Sequence, residues 1–129
     1  MKILYDGQLF EMLSSGGMVR YFKEIIPRIV ARPEVSVYLY QRKEPFFFPA
    51  NPKITVIRET ALTPGKRFPR IAAKVKAVKA RCDRARLRGL GIDIVHLTFF
   101  SCPPLRSPMV LTLYDLIYEK FLHSLYPPS

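Results

Sequence analysis

The chain has little of what small secreted, zinc-bound or membrane-spanning proteins are built from. Two cysteines cannot form a disulfide framework, and two histidines offer no zinc-ligand spacing. A reducing cytosol is the default compartment for such cysteine usage. No apolar run approaches the ~18 residues that a membrane span requires. The opening Met1-Lys2-Ile3-Leu4-Tyr5-Asp6 carries an acid where a signal peptide needs its apolar stretch, so export is not expected. Glycine is scarce, at six residues. Neither G-x-G-x-x-G nor G-x-x-x-x-G-K-S/T occurs, so dinucleotide- and Walker-type phosphate sites lose support.

Acidic residues are scarce too: ten Asp and Glu stand against 21 Lys and Arg, for a net charge of +11. The excess is local. Lys66, Arg67, Arg70, Lys74, Lys76, Lys79, Arg81, Arg84, Arg86 and Arg88 are opposed only by Asp83, so this segment holds most of the net charge. An anionic partner is expected on one face: nucleic acid, anionic lipid or a phosphate-bearing substrate.

What is present is enough for one compact domain: 129 residues, 49% of them hydrophobic. Lys2 to Asp6 reads as a short buried strand. Ser14-Ser15-Gly16-Gly17 then precedes Met18, Phe22, Ile25, Ile26, Ile29 and Val30, one face of an amphipathic helix containing Pro27, where a kink is expected. Val35 to Tyr40 and Ile54 to Ile57 are the next strands, separated by a proline-rich loop containing Phe46-Phe47-Phe48. Ile71, Val75, Val78, Cys82 and Ala85 mark the apolar stripe of a basic helix over about Phe68 to Arg88, expected to pack on the sheet. Ile92 to Leu97 and Met109 to Tyr114 complete five strands. The order β-α-β-β-α-β-β predicts an α/β Rossmann-like parallel sheet, strand order 3-2-1-4-5, given right-handed crossovers.

Ligands of open α/β sheets bind at the carboxyl ends of the strands, where the order reverses. Gly16, Gly17, His96, Thr98, Tyr114 and Asp115 are expected at that edge. Glycines ahead of a helix let a phosphate approach backbone N–H groups and the positive end of the dipole; the plainer reading is a turn into the helix. His96 could bond a substrate hydroxyl, or be a strand-end histidine satisfied by backbone. Asp115 could bind an acceptor or cap a following turn. Cys82 is expected to be packed, and Cys102 has no nearby histidine to activate it.

Two blocks carry a resemblance. Leu4-Tyr5-Asp6-Gly7-Gln8-Leu9-Phe10 followed by Gly16-Gly17-Met18-Val19-Arg20-Tyr21-Phe22 is one; Asp93-Ile94-Val95-His96 followed by Pro108-Met109-Val110-Leu111-Thr112-Leu113-Tyr114-Asp115 is the other. Together they resemble the N-terminal domain of retaining, nucleotide-sugar-dependent glycosyltransferases of the two-Rossmann-domain (GT-B) type. That group includes sucrose-phosphate synthase and bacterial polysaccharide mannosyltransferases. The resemblance implies a nucleotide-sugar donor as substrate with no further cofactor and no metal. It places Gly16 and Gly17 by the donor diphosphate, Arg20 and His96 on the acceptor side, and Tyr114 and Asp115 at the reaction centre. Many members carry His where Tyr114 stands, and a phenol with an unperturbed pKa of ~10 cannot replace an imidazole as a base at neutral pH.

Those enzymes continue into a second Rossmann domain that supplies most donor contacts. The 129 residues are therefore expected to form a partial, acceptor-side domain, inactive alone and completed by a separate donor-domain chain or a homo-oligomer. The acceptor would be a glycan or a lipid-linked sugar. Lys66, Arg67, Arg70, Lys74, Lys76, Lys79, Arg81 and Arg84 would contact an anionic membrane, placing a cytoplasmic protein peripherally on the inner face of the plasma membrane. Two alternatives are a small basic nucleic-acid-binding protein and a non-catalytic Rossmann-like interaction domain. The first would use segment 66 to 88, and is disfavoured because that helix has, beyond Phe68 at its start, no aromatic residue to stack bases and no Asn or Gln to read them.

Overall fold

The computed structural model describes residues 1–46, 51–61, 69–100 and 103–114. Eight elements follow in order: β1 (Lys2–Asp6), α1 (Gln8–Met12), α2 (Gly17–Val30), β2 (Ser36–Gln41), β3 (Ile54–Arg58), α3 (Pro69–Gly89), β4 (Ile94–Leu97) and β5 (Met109–Leu111). The five strands form one parallel sheet in the order β3-β2-β1-β4-β5, the arrangement the element order predicts. Leu4 at its centre lies opposite Tyr38 on one side and Val95 on the other.

The two-residue period of the strands splits the core in two. Ile3 and Tyr5 of β1 and Val37 and Leu39 of β2 face α1 and α2, meeting Leu9, Phe10, Val19, Phe22, Ile26 and Val30. Leu4 and Tyr40 face the other way and meet Ile57, Leu87, Ile92 and Val95. Helix α2 buries the stripe its periodicity predicts and continues past Pro27 to Val30.

Helix α1 falls where the sequence suggests only a loop. Leu9 and Phe10 are fully buried in it, and Leu13 N–H closes its last turn on the Leu9 carbonyl at 2.9 Å. Its start depends on a close approach: Gly7 N–H donates to the Tyr40 carbonyl at 2.8 Å, and a Cβ at Gly7 would stand 2.8 Å from the same oxygen. Glu11 Oε1 then accepts from the Arg42 and Lys43 amides at 2.6 and 3.1 Å, tying α1 to the end of β2.

Helix α3 packs through a different face from the expected one. Val78 is 54% exposed, Cys82 and Ala85 are exposed and Val75 is half-buried, whereas Asp83 and Leu87 are the buried positions. The expectation that Cys82 packs is thus corrected. The cause is polar. Asp83 Oδ1 accepts from the Thr60 amide at 3.0 Å and its hydroxyl at 2.6 Å. Lys79 Nζ meets Glu59 Oε2 at 2.6 Å, and Arg86 Nη1 donates to the Arg58 carbonyl at 3.0 Å. These contacts with the segment after β3 turn the apolar stripe outward. Ile71's side chain, Phe47, Phe48 and Cys102 lie outside the described residues; Phe46 is 70% exposed.

Candidate functional site

Strands β1 and β4 flank the point where the strand order reverses, and their carboxyl ends are locked together. Thr98 is fully buried; its hydroxyl bridges the Asp6 carbonyl at 2.8 Å and Asp6 Oδ1 at 2.6 Å, and its amide donates to the same carboxylate oxygen. The Leu9 amide donates to Thr98 Oγ1 at 3.3 Å, so one side chain joins β1, α1 and the end of β4. Asp6 therefore serves the frame of the site, with its carboxylate turned onto Thr98.

Beside this lock lies a cavity of about 570 Å3, lined by Leu13, Gly16, Gly17, Met18, Phe99, Phe100 and the stretch Leu111 to Tyr114. The start of α2 opens onto it. Gly16 has φ +117°, a left-handed backbone that L side chains rarely adopt, and no side chain caps the helix. The first-turn N–H groups and the positive end of a fourteen-residue helix thus border the cavity without a capping side chain. Thr112 and Tyr114, just past the end of β5, line the same cavity.

Burial sets the protonation of these groups. The Tyr114 hydroxyl is buried with no hydrogen-bond partner. Desolvation, and then the neighbouring Tyr21, push its ionisation above the usual phenol range; Thr112, close but outside hydrogen-bonding geometry, works weakly the other way. Tyr5, also with an unpartnered hydroxyl, is pushed up to about 12 by burial and by Tyr21. Both phenols stay protonated at neutral pH, and neither can serve as a base. Burial lowers the His96 pKa, which favours the neutral imidazole.

His96 sits one layer behind the cavity. Its ring centroid is 5.0 Å from that of Tyr5 and 5.3 Å from that of Phe22, and Nε2 lies 3.1 Å from Thr112 Oγ1. Phe22 and Tyr21 in turn contact the Tyr114 ring, at 6.2 and 6.1 Å. The structure therefore brings Gly16, Gly17 and Tyr114 together around one cavity, with His96 reaching it through Thr112. Arg20 is placed apart: it is exposed and lines a shallow groove with Tyr21, Glu24, Ile25 and Arg28 that shares only Gly17 with the cavity. Asp115, Lys66 and Arg67 lie outside the described residues, as does the side chain of Arg70. Lys74, Lys76, Arg81 and Arg84 are exposed, and Lys79 is three-quarters buried against Glu59.

Thr112 and Phe99 are wall residues that the sequence alone did not single out. Among the described residues no group of three or more His, Cys, Asp or Glu side chains could hold a metal ion, and no helix is long and apolar enough to cross a membrane. Comparison with protein-family models, curated proteins and solved structures returned no match.

Proposed function

We propose that this chain is the acceptor-side domain of a nucleotide-sugar-dependent, retaining glycosyltransferase that delivers a sugar to a glycan or lipid-linked acceptor. The observation that carries the proposal is the cavity at the strand-order reversal, which the uncapped start of α2 at Gly16 and Gly17 lines together with Thr112 and Tyr114. Helix-start N–H groups suit the donor diphosphate. A neutral hydroxyl donor such as Thr112 suits sugar oxygens, and the apolar wall of Leu13, Met18, Phe99 and Phe100 limits water. With Tyr114 protonated and His96 favoured neutral, the domain orients substrates without supplying a charged base. The donor's nucleotide would be held by a second domain, so this sheet alone is expected to bind weakly and not turn over.

Nuclear magnetic resonance titration with uridine diphosphate glucose and guanosine diphosphate mannose tests the reading. Amide shifts should concentrate at Gly16, Gly17, Met18 and Thr112, and Thr112→Val should weaken binding by about three- to tenfold, as for one neutral hydrogen bond. Shifts absent from that set, or robust transfer by the 129 residues alone, would overturn it.

The same proposal puts the protein peripherally on the cytoplasmic membrane face, supported by the exposed cations of α3. Those cations also support the nucleic-acid alternative. With no aromatic, Asn or Gln in α3, such binding would be sequence-independent.

A further inference from the structure

A second hollow, of about 310 Å3, lies on the other side of the sheet from the Gly16–Gly17 cavity. It opens between residues at the carboxyl ends of β2 and β3 and the inward face of α3. Tyr40, Ala80 and Pro104 form its apolar wall, and Arg42, Glu59, Lys76, Lys79 and Asp83 supply its charge.

The two carboxylates are already engaged. Glu59 Oε2 holds Lys79 Nζ at 2.6 Å, while the Tyr40 hydroxyl donates to Oε1 at 3.4 Å. Asp83, only 3% exposed, takes both Thr60 donors and has Arg86 Nη1 at 4.0 Å. Two of the cations are not engaged in this way. Among the described residues Lys76 and Arg42 take part in no ion pair. The Arg42 guanidinium instead lies over the Tyr40 ring, 5.2 Å from its centroid. A cation–π contact leaves the in-plane N–H fork open to an oxyanion. Lys76 reaches the same hollow from α3. Two cations from separate elements, neither in an ion pair among the described residues, thus line one small space whose charged lining is net positive.

We propose that this hollow binds a phosphate monoester, gripped by Arg42 and Lys76, with the Lys79–Glu59–Tyr40 chain and the Thr60–Asp83 bonds holding its wall in place. Two cations match a dianion, and the arginine fork matches phosphate geometry. The volume is enough for a phosphate with a short polyol attached. The inference stands independently of the sugar-transfer reading. The phosphate could belong to a phospholipid headgroup or to a soluble phosphorylated polyol, since both present the same group.

Titration of the full chain with glycerol 3-phosphate, and flotation with phosphatidylcholine vesicles with and without phosphatidic acid or phosphatidylglycerol, separate these sources. Saturable amide shifts at Tyr40, Glu59 and Lys76 to Asp83 are expected with the soluble ester. Binding to phosphatidic acid vesicles in excess of that to phosphatidylglycerol vesicles of equal charge, with no binding of the soluble ester, would assign a lipid headgroup instead. In either case Lys76→Ala or Arg42→Ala should weaken binding about tenfold or more. Lys74→Ala, exposed on α3 and outside the hollow, should leave the response to glycerol 3-phosphate unchanged. Glu59→Gln, which frees Lys79, should tighten binding. Loss with Lys74→Ala equal to that with Lys76→Ala would mean a diffuse charge effect and overturn the site. So would the absence of any binding dependent on Lys76 or Arg42 in variants that melt like the parent.

Discussion

At Gly7 the backbone carries a constraint that no side chain could meet. Its amide is hydrogen-bonded to Tyr40 O, and the oxygen is backbone, unable to swing away from an added Cβ 2.8 Å distant. Gly7→Ala should therefore destabilise the fold by about 1–3 kcal/mol in urea denaturation, the usual range for overpacking. Gly17→Ala meets nothing within 4 Å and has ordinary helical backbone, so it should change stability little or raise it slightly. Equal losses at both positions would refute the steric account. His96 gives a second residue-level expectation. Burial lowers its pKa in the folded chain, so as pH falls the unfolded chain, with an imidazole near ~6.5, binds the proton first. Stability from His96 is thus full above pH ~6.5 and is lost as pH falls toward the lower folded-state value. Urea titrations between about pH 7.5 and about pH 5 should show this decline in the parent. In His96→Gln, whose amide can still meet Thr112, the decline should be smaller; an unchanged slope would remove the desolvation argument.

Helix α3 is an element whose sequence pattern and packing disagree, and the disagreement can be measured. Leu87 is fully buried against Leu4, Tyr40, Ile57, Ile92 and Val95, so Leu87→Ala should cost about 2–5 kcal/mol. Val78, in the middle of the apolar stripe but 54% exposed, should cost under about 1 kcal/mol as Val78→Ala. The reverse ranking, by thermal or chemical melts, would restore the stripe that the sequence suggests. The contrast shows what was legible. Strands of near-continuous apolar residues and the α2 periodicity encode burial directly, so the sheet, its order and α2 can be read from residue types. The orientation of α3 depends on one buried carboxylate, Asp83, finding Thr60, 23 residues earlier, and a hydrophobic period is blind to such a pairing. Helix α1 escapes for a related reason: five residues are too few to show a period, and their helix rests on the Gly7–Tyr40 contact and on Thr98 receiving the Leu9 amide. At the site, Gly16, Gly17 and Tyr114 were visible as residue types. The solvent-facing placement of Arg20 followed from α2 turning Val19, Phe22 and Ile26 inward.

At the scale of the molecule, the sheet ends among the described residues in β5, which pairs there only with β4 and exposes its Val110 and Leu111 side chains. Such an edge invites strand pairing, so light scattering should show self-association at high concentration; a clean monomer would count against it. The charge distribution makes a separate demand. Lys79 is neutralised by Glu59 and largely covered, while Arg86 donates to the Arg58 carbonyl with its side chain still 54% exposed. Lys74, Lys76, Arg81 and Arg84 are exposed as well. Each such residue near an anionic bilayer contributes about 1 kcal/mol at low salt. Lys76 also lines the phosphate hollow, so the variant that isolates the surface effect is Lys74→Gln with Arg81→Gln and Arg84→Gln. Losing roughly 3 kcal/mol should lower affinity for phosphatidylglycerol-containing vesicles by about two orders of magnitude. The parent should bind these vesicles at low salt and release them as ionic strength approaches about 0.5 M, because the screening length shrinks below the distance between helix and headgroups. The triple variant should keep its response to glycerol 3-phosphate, since Lys76 and Arg42 are untouched. Flotation that is indifferent to salt, or equal on neutral and anionic vesicles, would show that the basic face of α3 is merely solvated.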